Sequence, residues 1–425
     1  MLDKDLGAAP AAQADRAKLL TVLLCALGAI LEGIDLQVAG VAAAGIIQEF
    51  RPDSRQLGAF FSASTLGLVG GALLGGRLAD RLGRKRVLVV SVAVFGLFSM
   101  LTAYAPTMSA LTSARLLTGL GLGGSFPIFI ALTAESSTPD RRSSNVAIVY
   151  SAMPLGGALI SLLSMLVGAI HWRQLFIVGG LTPLLVAPVM GRYLRESHAF
   201  RRVSGVGHPT EAGREGFLAV MTHGRAVNTI VLWMSFFLGL VTLYMLLNWL
   251  PTLLLGYGLD KHQASLAQIA FNLGGAIAAL FMGRLLDSPY RRKSAVTVFA
   301  ALPVLMLVLA VAPRYGWAIV LIVLAIGAVL LASQSVLYVL APACYPTAIR
   351  GVGVGTAVAM GRIGSILGPG FAGVLLAGGR TTSQLFMCLV PITLLGGICA
   401  LWLIWKMPST GEISYHETQA TPFAR

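Results

Sequence analysis

Twelve apolar runs of roughly 20 residues account for most of this chain. A run of that length crosses ~30 Å of hydrocarbon as a helix. Inside a bilayer every backbone N–H and C=O must be satisfied within the protein, and a helix does so segment by segment. The runs cover 19–44, 56–78, 87–105, 108–132, 144–169, 173–193, 226–249, 263–284, 294–312, 316–340, 351–377 and 384–406. Only 11% of the residues are charged, against about 25% in a soluble domain, so a soluble surface could not be covered. The expected fold is all-α and integral to the membrane. Forty-nine glycines agree with helices that approach closely in lipid.

An even number of spans puts both termini on one side. With that side cytoplasmic, and with residues at span ends counted in the adjoining segment, 23 Lys and Arg fall on cytoplasmic segments and 6 on external ones, with 2 left inside spans. Lys and Arg collect on the cytoplasmic side, so both termini are expected there. The same rule accounts for the net charge of +14 without nucleic acid as a partner. Cys25, Cys344, Cys388 and Cys399 have neither zinc-site spacing nor the pattern of a disulfide framework. Residues 1–18 are polar and of mixed charge, unlike a cleaved signal peptide, so the first run is kept as a span.

The longest polar segment, 194–225, carries Arg195, Arg201, Arg202, Arg214 and Arg225. It divides a bundle over 19–193 from a second over 226–406, with a cytoplasmic segment over 1–18 and a cytoplasmic tail over 407–425. GRLADRLGRKR at 76–86 is echoed by GRLLDSPYRRK at 283–293, 207 residues later. Pro139 and Pro346 keep the same offset. Two landmarks at one offset predict two pseudo-symmetric six-helix bundles. Internal repeats of this kind mark secondary transporters, whose substrate site lies near the midplane between the halves.

Gly76, Leu78, Asp80, Gly83, Arg84, Lys85 and Arg86 together resemble the signature loop of the major facilitator superfamily. RLLTGLGLG at 115–123 resembles its fourth-helix motif, and the likeness covers almost the whole chain. EGIDLQ at 32–37 resembles the aromatic acid:proton symporter family, which more often has Asp where this chain has Glu32. With NWLP at 248–251 and QSVLYVLAP at 334–342, the Glu form is similar to 3-(3-hydroxyphenyl)propionate transporters. The resemblance implies a bacterial inner-membrane symporter, working as a monomer. It also implies that Asp80 gates against span 11, that Asp287 is its counterpart near span 5, and that Arg84 belongs to the same gate. The second copy departs from the pattern, with Ser288-Pro289-Tyr290 in place of Arg-Leu-Gly.

Of 48 charged residues, four lie deep within spans: Glu32, Asp35, Arg115 and Arg362. Each costs about 2.5–3.5 kcal/mol to insert at a helix centre, so they should face a cavity or one another. Glu32 and Asp35 stand about 60° apart around one helix and share a face. Since no His lies deep in a span, they are the expected proton carriers. Arg115 lies at a depth similar to Asp35 and can serve as its partner. Arg362 lies ~16 Å into span 11, where its planar fork suits a substrate carboxylate.

An aromatic acid also needs an apolar slot with a few polar groups, for which Tyr150, Tyr244, Asn272, Gln334 and Tyr338 are the candidates. Trp249, near the outer end of span 7, reads as an interfacial anchor. Gly119-x-Gly121-x-x-Gly124 matches a dinucleotide fingerprint but sits inside an apolar helix, where close packing explains it better. No P-loop, metalloprotease or nucleophile-elbow motif occurs, so neither an ATP-driven pump nor an enzyme is expected, and no cofactor or metal. The reading is a proton-coupled importer of an aromatic carboxylate, such as a hydroxyphenylpropionate or hydroxybenzoate. Its partners are the small acid, protons and the lipid bilayer. The alternatives are a proton-coupled exporter on the same fold and a sensor that binds without translocating.

Overall fold

The computed structural model describes residues 5–138, 141–167, 171–194, 196, 220–222, 224–286, 288–312, 315–346 and 349–406. Among them are twelve helices long and apolar enough to cross a membrane. They are α1 (Asp5–Phe50), α2 (Ser54–Leu82), α3 (Arg84–Thr102), α4 (Met108–Ser136), α5 (Arg142–Val167) and α6 (Trp172–Tyr193) in the first half. The second half holds α7 (Ala226–Gly256), α8 (Lys261–Leu286), α9 (Arg291–Val311), α10 (Gly316–Ala343), α11 (Arg350–Ala377) and α12 (Thr382–Lys406). Most helices outrun their apolar stretches at one end or both, because flanking polar residues continue the helix. The largest difference is in α1, which starts in the polar segment before residue 18 and ends six residues beyond the apolar run. Pro139, Asp287 and most of the 194–225 segment lie outside the described residues.

The two halves are built alike. Asp53 caps α2: the Gln56 amide N–H donates to its carboxylate (2.7 Å), and the Gln56 side chain accepts from the Asp53 N–H (3.2 Å). Asp260 and Gln263 repeat this reciprocal cap at the start of α8, 207 residues on. Two orphan N–H groups are satisfied at each helix start.

The helix crossings repeat too. A Cβ placed on Gly119 would lie 1.9 Å from the Ser64 carbonyl, and one on Gly327 would lie 2.0 Å from the Phe271 carbonyl. These are the α2–α4 and α8–α10 crossings, where backbone meets backbone and only glycine fits. Gly119 belongs to the GxGxxG run, so that run serves helix packing. Gly156 against Ile30 (2.0 Å) and Gly364 against Phe237 (2.2 Å) repeat the pattern at α1–α5 and α7–α11. The offset is 207 residues for the first two helices of each half and 208 for the fourth and fifth.

With twelve spans, the start of α1 and the end of α12 lie on one face, here termed the terminal face. α2 packs on α11, α5 on α8 and α1 on α7 across the halves. At the opposite face these contacts are tight. A Cβ on Gly40 of α1 would lie 2.6 Å from the Asn248 carbonyl, and one on Gly373 of α11 would lie 2.4 Å from the Ser54 carbonyl. Ser62 donates to the Ile366 carbonyl at 2.7 Å. Trp249 is 1% exposed, donates from Nε1 to the Pro369 carbonyl at 2.9 Å and meets Phe61 edge-on. It is therefore a buried seal between α7, α2 and α11. The interfacial-anchor expectation fails because α7 runs on to Gly256 and carries Trp249 inside the bundle. Toward the terminal face, side chains added at Gly76 of α2 or Gly355 of α11 would meet nothing within 4 Å. The tight backbone contacts between the halves named here thus lie toward one face, and the positions at Gly76 and Gly355, toward the other, are open.

These contacts predict that Gly119→Val and Gly327→Val each destabilise the protein by about 1–3 kcal/mol or more. Thermal unfolding in detergent checks this, with Gly76→Ala, at an open position, expected to leave the melting temperature unchanged or slightly raised.

Candidate functional site

Arg115 and Asp35 form an ion pair in which neither residue is more than 1% exposed. Arg115 Nη1 donates to both carboxylate oxygens at 3.0 and 2.9 Å. Its Nη2 donates to the Asp35 carbonyl at 2.9 Å and to Ser64 Oγ at 3.1 Å. The Phe176 ring lies against the guanidinium, 5.8 Å from centroid to Cζ. One side chain of α4 is thereby tied to α1 and α2. Such a pair has to be complete, since desolvation of either ion alone is not repaid.

Glu32 lies one helical turn from Asp35 on α1 and is 1% exposed. Its described hydrogen-bond partner is Ser125 Oγ on α4, at 3.0 Å, and Arg362 and Asp35 are the charges that act on it. The Ser125 hydroxyl also reaches the Leu122 carbonyl at 2.8 Å. A hydroxyl has one hydrogen to donate. When it goes to Leu122, the contact with Glu32 requires the hydrogen to sit on the carboxyl. When it turns to Glu32, the carboxylate can be charged. One hydroxyl rotation thus serves both protonation states.

Between the halves lies a cavity of about 740 Å³, including its open mouth. Arg362, Tyr244, Tyr150, Tyr338, Gln334, Asn272 and Gln37 line it together with Phe126, Met153 and four leucines. Every substrate-site residue predicted from sequence therefore faces one cavity. Arg362 Nη1 donates to Tyr244 Oη at 2.8 Å, which steers the guanidinium into the space. Tyr150 and Tyr338 meet edge-on at 6.0 Å, flanked by Phe126 and Phe236. Such aromatic pairs are favoured beyond the area they bury, and they give the cavity a flat-sided apolar wall.

Sequence reasoning missed Gln37, although it lies in the same EGIDLQ stretch. Gln37 and Asn272 exchange reciprocal amide hydrogen bonds at 2.8 Å across the halves. Gln268 adds a third, donating to Gln37 Oε1 at 2.8 Å. The available signal was a third polar residue on a membrane helix, two positions after Asp35. Ser125 was missed as well, because a serine in an apolar helix has no distinguishing spacing.

The signature loop is tied down within its own half. Gly83 turns the chain from α2 to α3 at φ 98°, a conformation that suits glycine. Arg84 pairs with Glu135 at the end of α4. The Glu196 carboxylate accepts from the Lys85 amide at 3.0 Å, at the N-terminus of α3 where negative charge is favoured. Asp80 lies in α2, but its side chain falls outside the described residues, as does Asp287.

The buried pair predicts a large single-site effect. Arg115→Leu leaves Asp35 unpaired and should cost about 3–5 kcal/mol. The double variant Asp35→Leu/Arg115→Leu should recover most of that loss, as a double-mutant cycle of thermal unfolding would measure.

The model of the Major Facilitator Superfamily matches residues 25–329 and 232–423. The chain is 40% identical to a 3-(3-hydroxy-phenyl)propionate transporter of Escherichia coli, over 91% of this chain and 94% of that protein. It is 35% identical to a 4-hydroxybenzoate transporter of Pseudomonas putida, over 87% and 88%, and 30% identical to a gallate transporter of the same species, over 87% and 88%. Among solved structures, the D-xylose-proton symporter superposes with a TM-score of 0.71 at 19% identity, covering 92% of this chain and 98% of that one. The inward-open xylose transporter of E. coli superposes with a TM-score of 0.73 at 18% identity, covering 93% and 98%. Twelve helices in two repeated halves, a cavity between them and these likenesses agree, and the chain belongs to the Major Facilitator Superfamily of membrane transporters.

Proposed function

We propose that this protein imports an aromatic carboxylate together with protons, through the cavity between its halves. The observation that carries the reading is the division of labour among the four intramembrane charges. Asp35 and Arg115 neutralise each other, whereas Arg362 faces the cavity and Glu32 has, among the described residues, the Ser125 hydroxyl as its hydrogen-bond partner. A cation beside an aromatic wall suits an anionic ring compound. The relatives named for 3-(3-hydroxy-phenyl)propionate, 4-hydroxybenzoate and gallate support the same class.

The mechanism follows from the electrostatics. Substrate carboxylate at Arg362 and a proton on Glu32 together leave the site nearly neutral, and a neutral site costs least to enclose in low dielectric. Loading both lets the halves rock about the cavity, and losing either penalises closure. With the termini cytoplasmic, as the distribution of Lys and Arg supports, the sealed face is external and the present arrangement faces inward. The loop 76–86, with Asp80, Arg84 and Asp287, would then form the cytoplasmic gate. The protein would sit in the bacterial inner membrane as a monomer.

Two sets of variants test this. Glu32→Gln and Asp35→Asn should abolish accumulation of substrate driven by a proton gradient, while Glu32→Gln keeps exchange of labelled for unlabelled substrate. Accumulation at the normal level in Glu32→Gln would reject its proton role. Arg362→Ala should weaken binding of the acid roughly tenfold or more, ~1.4 kcal/mol per decade, and weaken binding of its neutral amide less. Equal losses would assign Arg362 a structural task.

A further inference from the structure

The repeat that governs packing breaks down at the cavity in an informative way. Glu32 of the first half corresponds, at the 207-residue offset, to Gly239 of the second. Phe126, at the 208-residue offset, corresponds to Gln334. The missing side chain at Gly239 leaves room that the Gln334 amide occupies: a Cβ on Gly239 would lie 2.6 Å from Gln334 Nε2. Gln334 is 3% exposed and lines the cavity. Neither its Nε2 nor its Oε1 has a hydrogen-bond partner among the described residues.

A buried amide with both ends unpaired is uncommon, because burial removes the water that would satisfy it. The other cavity amides are satisfied, since Gln37 and Asn272 hold each other. Gln334 therefore keeps both donor and acceptor capacity to spare in the cavity wall. The amide lies against Gly239 of α7, and the Arg362 guanidinium is held by the Tyr244 hydroxyl of the same helix.

We infer that Gln334 is a specificity-determining residue that binds a hydroxyl on the substrate ring while the carboxylate lies at Arg362. This rests on the aromatic-carboxylate reading above. A phenolic hydroxyl carries one hydrogen to donate and lone pairs to accept, the complement of a primary amide. Both ends of the amide lack a partner among the described residues, so a ring without the hydroxyl leaves it unpaired. Sites built to hydrogen-bond a substrate hydroxyl discriminate strongly against the analogue that lacks it.

The test uses the full-length protein in detergent and compares binding of 3-(3-hydroxyphenyl)propionate with that of 3-phenylpropionate. Gln334→Met keeps the side chain's length and removes the two unpaired atoms, so the ligand-free melting temperature should not fall. The wild type should prefer the hydroxylated acid at least ~10-fold. In Gln334→Met that ratio should drop toward one, chiefly through weaker binding of the hydroxylated acid. A wild-type ratio near one, or a ratio unchanged in the variant, would overturn the role of Gln334. Failure of the wild type to bind either acid would instead overturn the aromatic-carboxylate reading, and this inference with it.

Discussion

Charge in hydrocarbon must be cancelled, and the bond between Arg115 and Asp35 does this at the centre of the first half. It draws α1, α2 and α4 together through the carboxylate, a backbone carbonyl and Ser64. With that pair closed, the inventory of deep charges is reduced to Glu32 and Arg362. These two sit on different halves, on α1 and α11, and each acts electrostatically on the other. In the proposed cycle, the ions that hold the scaffold would be separate from those that meet the proton and the substrate.

Packing and chemistry obey different symmetries in this molecule. Gly119 and Gly327, or Gly156 and Gly364, make the same backbone approach in each half, so one crossing geometry is used twice. The functional side chains are not duplicated. Asp35 corresponds to Thr242, Arg115 to Val323, Gln37 to Tyr244 and Arg362 to Pro154. The first half thus carries the carboxylates and the second carries the cavity cation. In the proposed cycle, rocking of the two similarly built bundles would supply alternating access, and the unequal linings would supply selectivity.

Much of this was legible in the residues. Run length marks the spans, because hydrocarbon thickness fixes helix length. The two acids of EGIDLQ and the two arginines stood out because charge is so costly at that depth. Helix rise put Asp35 and Arg115 at a common level, and they do meet. The polar but uncharged members, Gln37, Gln268 and Ser125, escaped notice. Their contacts depend on which face of each helix is turned inward, and the backbone crossings at glycines set that. Trp249 was misplaced for a related reason. Its helix outlasts the apolar run, so a residue expected at the interface lies within the seal. The motif marked Arg84 but not its partner, Glu135 of its own half, because an ion pair between distant turns leaves no spacing to read.

The central claim is that carboxylate entry is driven by protons through this cavity. The most direct measurement is uptake of radiolabelled 3-(3-hydroxyphenyl)propionate into proteoliposomes carrying an imposed proton gradient, with and without a protonophore. The account predicts accumulation above the external concentration that collapses when the protonophore is added. Accumulation that survives the protonophore, or equilibration with no accumulation under the gradient, would contradict it.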